Sequence, residues 1–492
     1  MNNYNHYLYQ NEEFGITVEV RHPIIVVKGL PNAEIDEIVV FEEGQRGMVF
    51  SMSRDVIEVL LFSQEQIRNG ASVARTGESI NVRVGNNLLG KTIGAMGDDL
   101  YEEAATGTQD ENVEYKPINT EAPNMDKRTK ITKPFVTGTS VVDLMIPLGK
   151  GQRELVIGDR KTGKTSFLLT SIISQAKEDT VIIYGAIGRR QSEIKKIEEF
   201  LRQQNVLQQS VIVASSSNDS SGYIYITPYT AMTLAEFFRD QGRDVLIILD
   251  DLTYHAKIYR EISLLANRFP GRDAYPGDIF YLHSKLLERA GAFIHPEKKE
   301  VFITCFPVAE SIDGDLRGYI TTNLMGMTDG HIFFDSDIYF QGIRPAVNIQ
   351  LSVTRVGRQT QSKLRKEINT LLLSFLSNYN KLQTLSHFGS ELSGETEITL
   401  KRGERLQQLF NQHYKTVTSS SIQLVMLGLI WSDILSDEPV SCIRKLSSTL
   451  TISYDKDKKF YDDMANCDSL EVLVNNVKKY KDDFLKICRT QT

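Results

Sequence analysis

VIGDRKTGKTSF, residues 156–167, is the stretch whose reading decides the fold. A short apolar run, ELVIG (154–158), breaks into Gly158, Asp159, Arg160, Lys161, Thr162, Gly163, Lys164 and Thr165, and the helix-like run SFLLTSIISQA follows. These residues satisfy G-x-x-x-x-G-K-[ST] between a predicted strand and a predicted helix, the context that phosphate binding requires. Glycines let backbone N–H groups curl round phosphate oxygens, and a helix N-terminus adds partial positive charge. In that arrangement Lys164 reaches the terminal phosphates and the Thr165 hydroxyl ligates magnesium. The spacing predicts a nucleoside triphosphate site over residues 158–166, with Ser166 as its last member.

Outward from this loop, over about 136–355, strand-like and helix-like runs alternate: TVIIYGA then SEIKKIEEFLRQQ, SVIVAS then MTLAEFFRD, then VLIILDD. β-branched strands alternating with amphipathic helices predict an α/β fold, a mostly parallel sheet covered on both faces. Asp250, ending VLIILDD, is the expected magnesium-side acid, with its neighbour Asp251 as the alternative. An aspartate at a strand end, taken alone, is a helix cap.

Residues 1–76 read as short strands (ITVEV, IIVV, IVVF, MVFSM) with Gly29, Pro31, Gly44 and Gly47 in the turns, which predicts a small β-barrel. A polar excursion occupies residues 101–134. Past residue 362 the apolar positions Leu364, Ile368, Leu371, Leu372, Phe375 and Leu376 recur at helical spacing. The expected domains are therefore a barrel at 1–76, the nucleotide domain at 77–362 and a helical domain at 363–492.

Composition narrows the function. With 41% hydrophobic and 24% charged residues the chain of 492 residues is a folded multidomain protein, and its net charge of -7 argues against a nucleic-acid partner. Cys305, Cys442, Cys467 and Cys488 lack metal-like spacing and are expected as buried or free thiols. MNNYNHYLYQNEEFG has no signal-peptide pattern, and the longest apolar run, VMLGLIW (425–431), falls short of the roughly 20 residues of a membrane helix.

Four blocks carry a family resemblance: GKGQRELVIGDRKTGKTS, RFPGRDAYPGDIFYLHSKLLERAG, GIRPAVNIQLSVTRVG and HFGSEL. They resemble, in order over about residues 12–415, the alpha subunit of F-type ATP synthases, or a divergent F-type-like rotary ATPase paralogue of the kind found in mollicutes. Beyond residue 416 the resemblance fades. It implies a β-barrel collar, a RecA-like domain holding ATP or ADP with Mg2+, and a helical domain. It also implies an alternating ring with catalytic beta-type subunits round a gamma-like shaft, with a stator and a membrane sector as further partners. The location would be the cytoplasmic side of a membrane complex.

In catalytic relatives, the glutamate that activates water directly follows a glycine after the strand second from the loop. Here that position is Arg189, after Gly188, and an arginine stays protonated and cannot act as a base. Glu193 lies one helical turn further on and reads as a solvated residue. The expectation is nucleotide binding without turnover. By the same resemblance Arg355 of Ser352-Val353-Thr354-Arg355-Val356-Gly357 is an arginine finger for the neighbouring subunit's catalytic site. The resemblance also implies that Arg344 and Pro345 flank the adenine, that Gln412 contributes to its pocket, and that Pro270–Gly277 forms the bearing round the shaft.

Departures from the family pattern are Lys161 where glutamine is usual, a shortened segment around Gln412, and a short N-terminus, residues 1–10, without an apolar stripe. They leave open a specialised ATP-driven motor, such as a gliding-linked one, beside an ordinary proton-coupled synthase. Outside the family, the alternatives are a stand-alone RecA-like hexameric ATPase, as in Rho-like translocases and secretion ATPases, and a scaffold that keeps the loop for stability alone.

Overall fold

The computed structural model describes residues 3–100, 114–297, 300–386 and 394–489. The HFGSEL block (387–392) and residues 101–113 of the polar excursion lie outside the described residues. The chain divides into two compact units: Met1–Thr129 with Asp179–Glu310 and Leu316–Thr328, and Lys130–Glu178 with Ser311–Asp315 and Asp329–Thr492.

The first unit opens on a closed six-stranded barrel, running Phe14–Arg21, Ile24–Lys28, Ile57–Leu61, Arg46–Met52, Glu37–Phe41 and Ser72–Ser79 round the wall. Its pairs are antiparallel, so alternate residues point inward, and Ile25, Val27, Val39, Val49, Val59, Leu61 and Val73 fill the interior. Residues Asn3–Asn11, which show no apolar stripe, nevertheless form a helix, and Asn11 donates to the Arg75 carbonyl at 2.9 Å.

In the same unit, Thr92–Ile93, Ser210–Ser216, Val181–Arg189, Val245–Asp250 and Val301–Glu310 lie side by side in parallel. Gly291–Phe293 adds an antiparallel strand. The inner strands are buried along nearly their whole length, which explains their β-branched composition. Gln191–Gln203 buries only Ile194, Ile197 and Leu201, the single stripe expected of a surface helix. Ser221–Asp240 is capped by Ser220, whose hydroxyl accepts from the Tyr223 N–H at 3.3 Å, and buries most of its length.

In the second unit Glu154–Gly158 runs parallel to Gly330–Phe334, which pairs antiparallel with Val353–Thr354. The helix Lys164–Ala176 leaves the glycine loop, as the 156–167 stretch predicts. From Lys363 the structure is helical, through Lys363–Ser386, Gly394–Phe410, Ser420–Trp431, Cys442–Lys456, Lys458–Ala465, Leu470–Lys478 and Lys481–Arg489. VMLGLIW belongs to Ser420–Trp431, a buried core helix. No helix among the described residues is long and apolar enough to cross a membrane.

One expectation is corrected: Cys442 and Cys488 form a disulfide, with their Cα atoms 5.2 Å apart. A sequence separation of 46 hides the pairing because only the packing of Cys442–Lys456 against Lys481–Arg489 brings those positions together. Cys305 and Cys467 are free thiols. The barrel, the mostly parallel sheet of the RecA-like nucleotide domain and the helical C-terminal domain are all present.

Candidate functional site

The glycine loop is built from backbone constraints. A Cβ on Gly158 would sit 2.3 Å from the Phe334 carbonyl oxygen, so only glycine lets the strand end there. Gly163 takes a left-handed φ of 104°, which turns the chain into the helix beginning at Lys164. Lys164 is buried, and its ammonium donates to the carbonyls of Gly158 at 2.5 Å and Asp159 at 2.8 Å. The Thr162 hydroxyl donates to the Asp159 carbonyl at 2.8 Å.

Ser311 and Gly314, which sequence reasoning missed, hold the Asp159 carboxylate. The Ser311 hydroxyl donates to it at 2.6 Å and the Gly314 N–H at 3.0 Å. Arg160, Lys161 and Thr165 are exposed, and Ser166 is half-buried.

The same unit assembles the residues expected round a base. The Gln412 N–H donates to the Arg344 carbonyl at 2.6 Å, and the Arg344 N–H donates to the Asn411 side chain at 3.2 Å. Thr170, on the helix that leaves the loop, donates to the Tyr414 carbonyl at 2.6 Å. Pro345 follows Arg344 through a cis peptide bond.

The side chain of Gln412, however, is already spoken for. Its carbonyl oxygen accepts from the Ser140 N–H at 3.0 Å and hydroxyl at 3.1 Å. Its amide donates to the carbonyls of Gly138 at 2.7 Å and Thr416 at 2.5 Å. Two donors and two acceptor sites are all a carboxamide has, so none is left to read a base. The Gln412 amide thus ties Ser140, Gly138 and Thr416 together.

The Arg355 motif is pinned on both sides of the arginine. Ser352 donates to the Asn348 carbonyl at 2.6 Å and accepts from the Phe333 N–H at 3.0 Å. Thr354 donates to the Pro147 carbonyl at 2.8 Å, and a Cβ on Gly357 would lie 1.7 Å from that same oxygen. The Arg355 N–H donates to the Asp329 carbonyl at 2.9 Å, while the residue itself is exposed. Burial raises the pKa of fully buried Glu154 well above its ordinary value.

A second cluster forms in the first unit at the end of the acid-bearing strand. Asp250 is buried; its Oδ2 accepts from the Tyr184 hydroxyl at 2.7 Å and its Oδ1 from the Arg189 guanidinium. The same guanidinium lies 3.5 Å from Asp251 and 3.9 Å from exposed Glu193. Burial pulls the Arg189 pKa down, but Asp250 and Asp251 more than offset this, so the guanidinium holds its proton more firmly than usual. Asp251 accepts from the Tyr254 N–H at 2.5 Å, the N-cap of Leu252–Leu265, and burial raises its pKa to about 6 despite Arg189.

A hard cation takes anionic oxygens, and here a guanidinium holds one oxygen of Asp250 while a phenol holds the other. Among the described residues, no group of three or more His, Cys, Asp or Glu side chains could hold a metal by itself. Asp250, the expected magnesium-side acid, is ion-paired with Arg189 in this structure.

A buried strand, a glycine loop closing on a lysine and a helix N-terminus define a P-loop nucleotide-binding protein of RecA type. The family model described as the ATP synthase alpha/beta family, nucleotide-binding domain, matches residues 138–354, and that for the alpha/beta chain, C terminal domain, matches 361–484. ATP synthase subunit alpha of Clostridium botulinum (strain Eklund 17B / Type B) is 38% identical over 437 residues, 89% of this chain and 86% of that protein. That of Ehrlichia ruminantium (strain Gardel) is 38% identical over 450 residues, covering 89% and 87%. That of Carsonella ruddii is 37% identical over 456 residues, covering 91% and 93%. The chain belongs to the ATP synthase alpha/beta family, and within it to the alpha-type subunits. The match to residue 484 corrects the reading that the resemblance fades past 416: helical pattern outlasts recognisable motifs there.

Proposed function

We propose that this chain binds ATP or ADP without hydrolysing it and serves a catalytic beta-type neighbour in an alternating ring. Residues 158–166 cradle the phosphates, with Lys164 on the terminal ones and Thr165 as the magnesium-side hydroxyl, and Arg344 and Pro345 border the base. The domain limits we assign are 1–76, 77–362 and 363–492. The observation that carries the non-catalytic reading is Arg189. It stands where a hydrolytic base would be, is ion-paired with Asp250 and Asp251, and is held protonated by them. A protonated guanidinium accepts no proton from water, which also speaks against a self-sufficient RecA-like ATPase.

Arg355 is the group this chain contributes to chemistry. It is exposed between two anchored neighbours, a geometry suited to reaching another subunit's transferred phosphoryl group. The partners in this reading are beta-type subunits, a gamma-like shaft against Pro270–Gly277, and a stator and membrane sector on the cytoplasmic side of a membrane. The test is the Arg355→Ala complex: it assembles, binds nucleotide and loses about 10³-fold or more of its ATPase rate. Unchanged turnover would refute the finger. Strong turnover by the isolated wild-type chain would refute the non-catalytic reading.

A further inference from the structure

We infer that Cys442 and Cys488 form a reversible redox latch. Closed by oxidation, it pins the helix Lys481–Arg489 to Cys442–Lys456; opened by reduction, it lets that helix go. Both cysteines belong to the helical part of the second unit. Cys442 is 5% exposed while Cys488 is half-buried, so a small thiol reaches the pair from the Cys488 side.

The helix under the latch has few other anchors. Phe484 is the one buried residue of the nine in Lys481–Arg489, and a helix of nine residues does not stand in water by itself. A further tie is the ion pair of Arg489 with Glu438 at 2.7 Å, but Arg489 is largely exposed and such a pair contributes little. The segment before Cys442 does not depend on that tie. The Arg405 guanidinium holds it from Gly394–Phe410, donating to the carbonyls of Ser436 at 2.9 Å and Glu438 at 3.2 Å. Opening the disulfide therefore frees Lys481–Arg489 and leaves its docking place standing.

The placement of the two sulfurs also suits exchange. Cys442 begins Cys442–Lys456, where the positive end of the helix dipole favours a thiolate, so Cys442 is the leaving group when Cys488 is attacked. The thiolate of reduced glutathione bonds to Cys488 Sγ, the S–S bond breaks, and Cys442 Sγ leaves with the electron pair and takes a proton. A second glutathione thiolate then displaces Cys488 from the mixed disulfide. The pair gains two electrons and two protons, and the reductant is left as glutathione disulfide, whose attack by the thiols runs the same steps backward and closes the latch. Burial pushes the free Cys467 thiol up, which makes it a poor competitor for either sulfur. On the cytoplasmic side proposed above, the glutathione pool keeps a pair of this kind open until an oxidant appears.

The experiment equilibrates the full chain in a series of glutathione and glutathione disulfide mixtures, traps thiols by alkylation, and follows hydrogen exchange by mass spectrometry. Cys442 and Cys488 are expected to convert together, and to convert back when the mixture is reversed. On reduction the protection of Lys481–Arg489 is expected to fall by about thirty- to a thousandfold, the range of a typical cross-link, while Ser420–Trp431 keeps its protection. Cys488→Ser should show the low protection in every mixture, and Cys467→Ser should switch as wild type does. Equal protection of Lys481–Arg489 in the two forms, or full protection in Cys488→Ser, would overturn the latch. A pair that stays closed throughout the series, or does not re-form when the mixture is reversed, would overturn its reversibility and with it the inference.

Discussion

Lowering the pH toward 5 should destabilise the first unit through a buried histidine pair, by an amount the structure sets. His255 and His283 are both buried, with His255 Nδ1 3.1 Å from His283 Nε2 and His255 Nε2 2.9 Å from the Tyr225 carbonyl. A carbonyl only accepts, so His255 Nε2 carries the proton, His255 Nδ1 accepts, and His283 Nε2 donates. Tyr225 and Tyr229 face the pair from Ser221–Asp240, Tyr259 stacks on Tyr225, and Tyr259 donates to Asp278 at 2.8 Å beside Arg268.

Burial lowers the His255 pKa to about 4 and drives that of His283 well down. A histidine in the unfolded chain titrates near 6.5. Above that pH both states are neutral and the site costs nothing. Below it the unfolded chain takes up a proton that the native chain refuses, so stability falls as pH drops from about 6.5 to about 4. Each unit of difference is worth about 1.4 kcal/mol, so His255 alone removes about 2 kcal/mol at pH 5 and about 3 kcal/mol by pH 4.

Urea unfolding of the full chain at about pH 7.5 and about pH 5, beside His255→Gln, measures this. A glutamine amide can make the same donor and acceptor contacts without titrating, so the variant should lose about 2 kcal/mol less than wild type over that interval. Parallel pH profiles for the two proteins would refute the assignment.

Other perturbations probe the remaining elements. Gly357→Ala places a methyl against the Pro147 carbonyl, where a Cβ has 1.7 Å of room. It should lower stability by about 1–3 kcal/mol and, by shifting Arg355, reduce the ATPase rate of the complex, read by thermal melting and turnover. Gln412→Leu strands the groups around Ser140, Gly138 and Thr416; it should cost about 1–3 kcal/mol while leaving the preference for ATP over GTP unchanged. A variant as stable as wild type that no longer tells the bases apart would restore Gln412 as a base reader. Glu236→Ala abandons fully buried Arg289, whose guanidinium pairs with Glu236 at 2.5 Å and donates to the Ile118 carbonyl at 2.8 Å. About 3–5 kcal/mol should vanish from the denaturant stability of the first unit.

What the amino-acid string discloses here follows the range of the interaction. The glycine loop is legible because every requirement lies within a dozen residues: the strand, the left-handed Gly163 and the helix starting at Lys164. The barrel is legible because its antiparallel strands leave a period-two pattern, and the parallel strands because burial on both faces makes them apolar throughout. Arg189 is legible as a residue that cannot act as a base, since that needs only its identity and its place after Gly188. Its grip on Asp250 is not, because the partners are 61 residues apart and meet only through neighbouring parallel strands and a bulge. The same reason hides Ser311 and Gly314 behind Asp159, and Cys488 behind Cys442.

Gln412 shows the opposite hazard. Its residue type suits a base contact, yet a carboxamide's use depends on how many of its bonds the fold has already taken, and here the fold takes all of them. Arg189 obeys the same accounting from the other side: its charge is already taken up by two buried aspartates, Asp250 and Asp251.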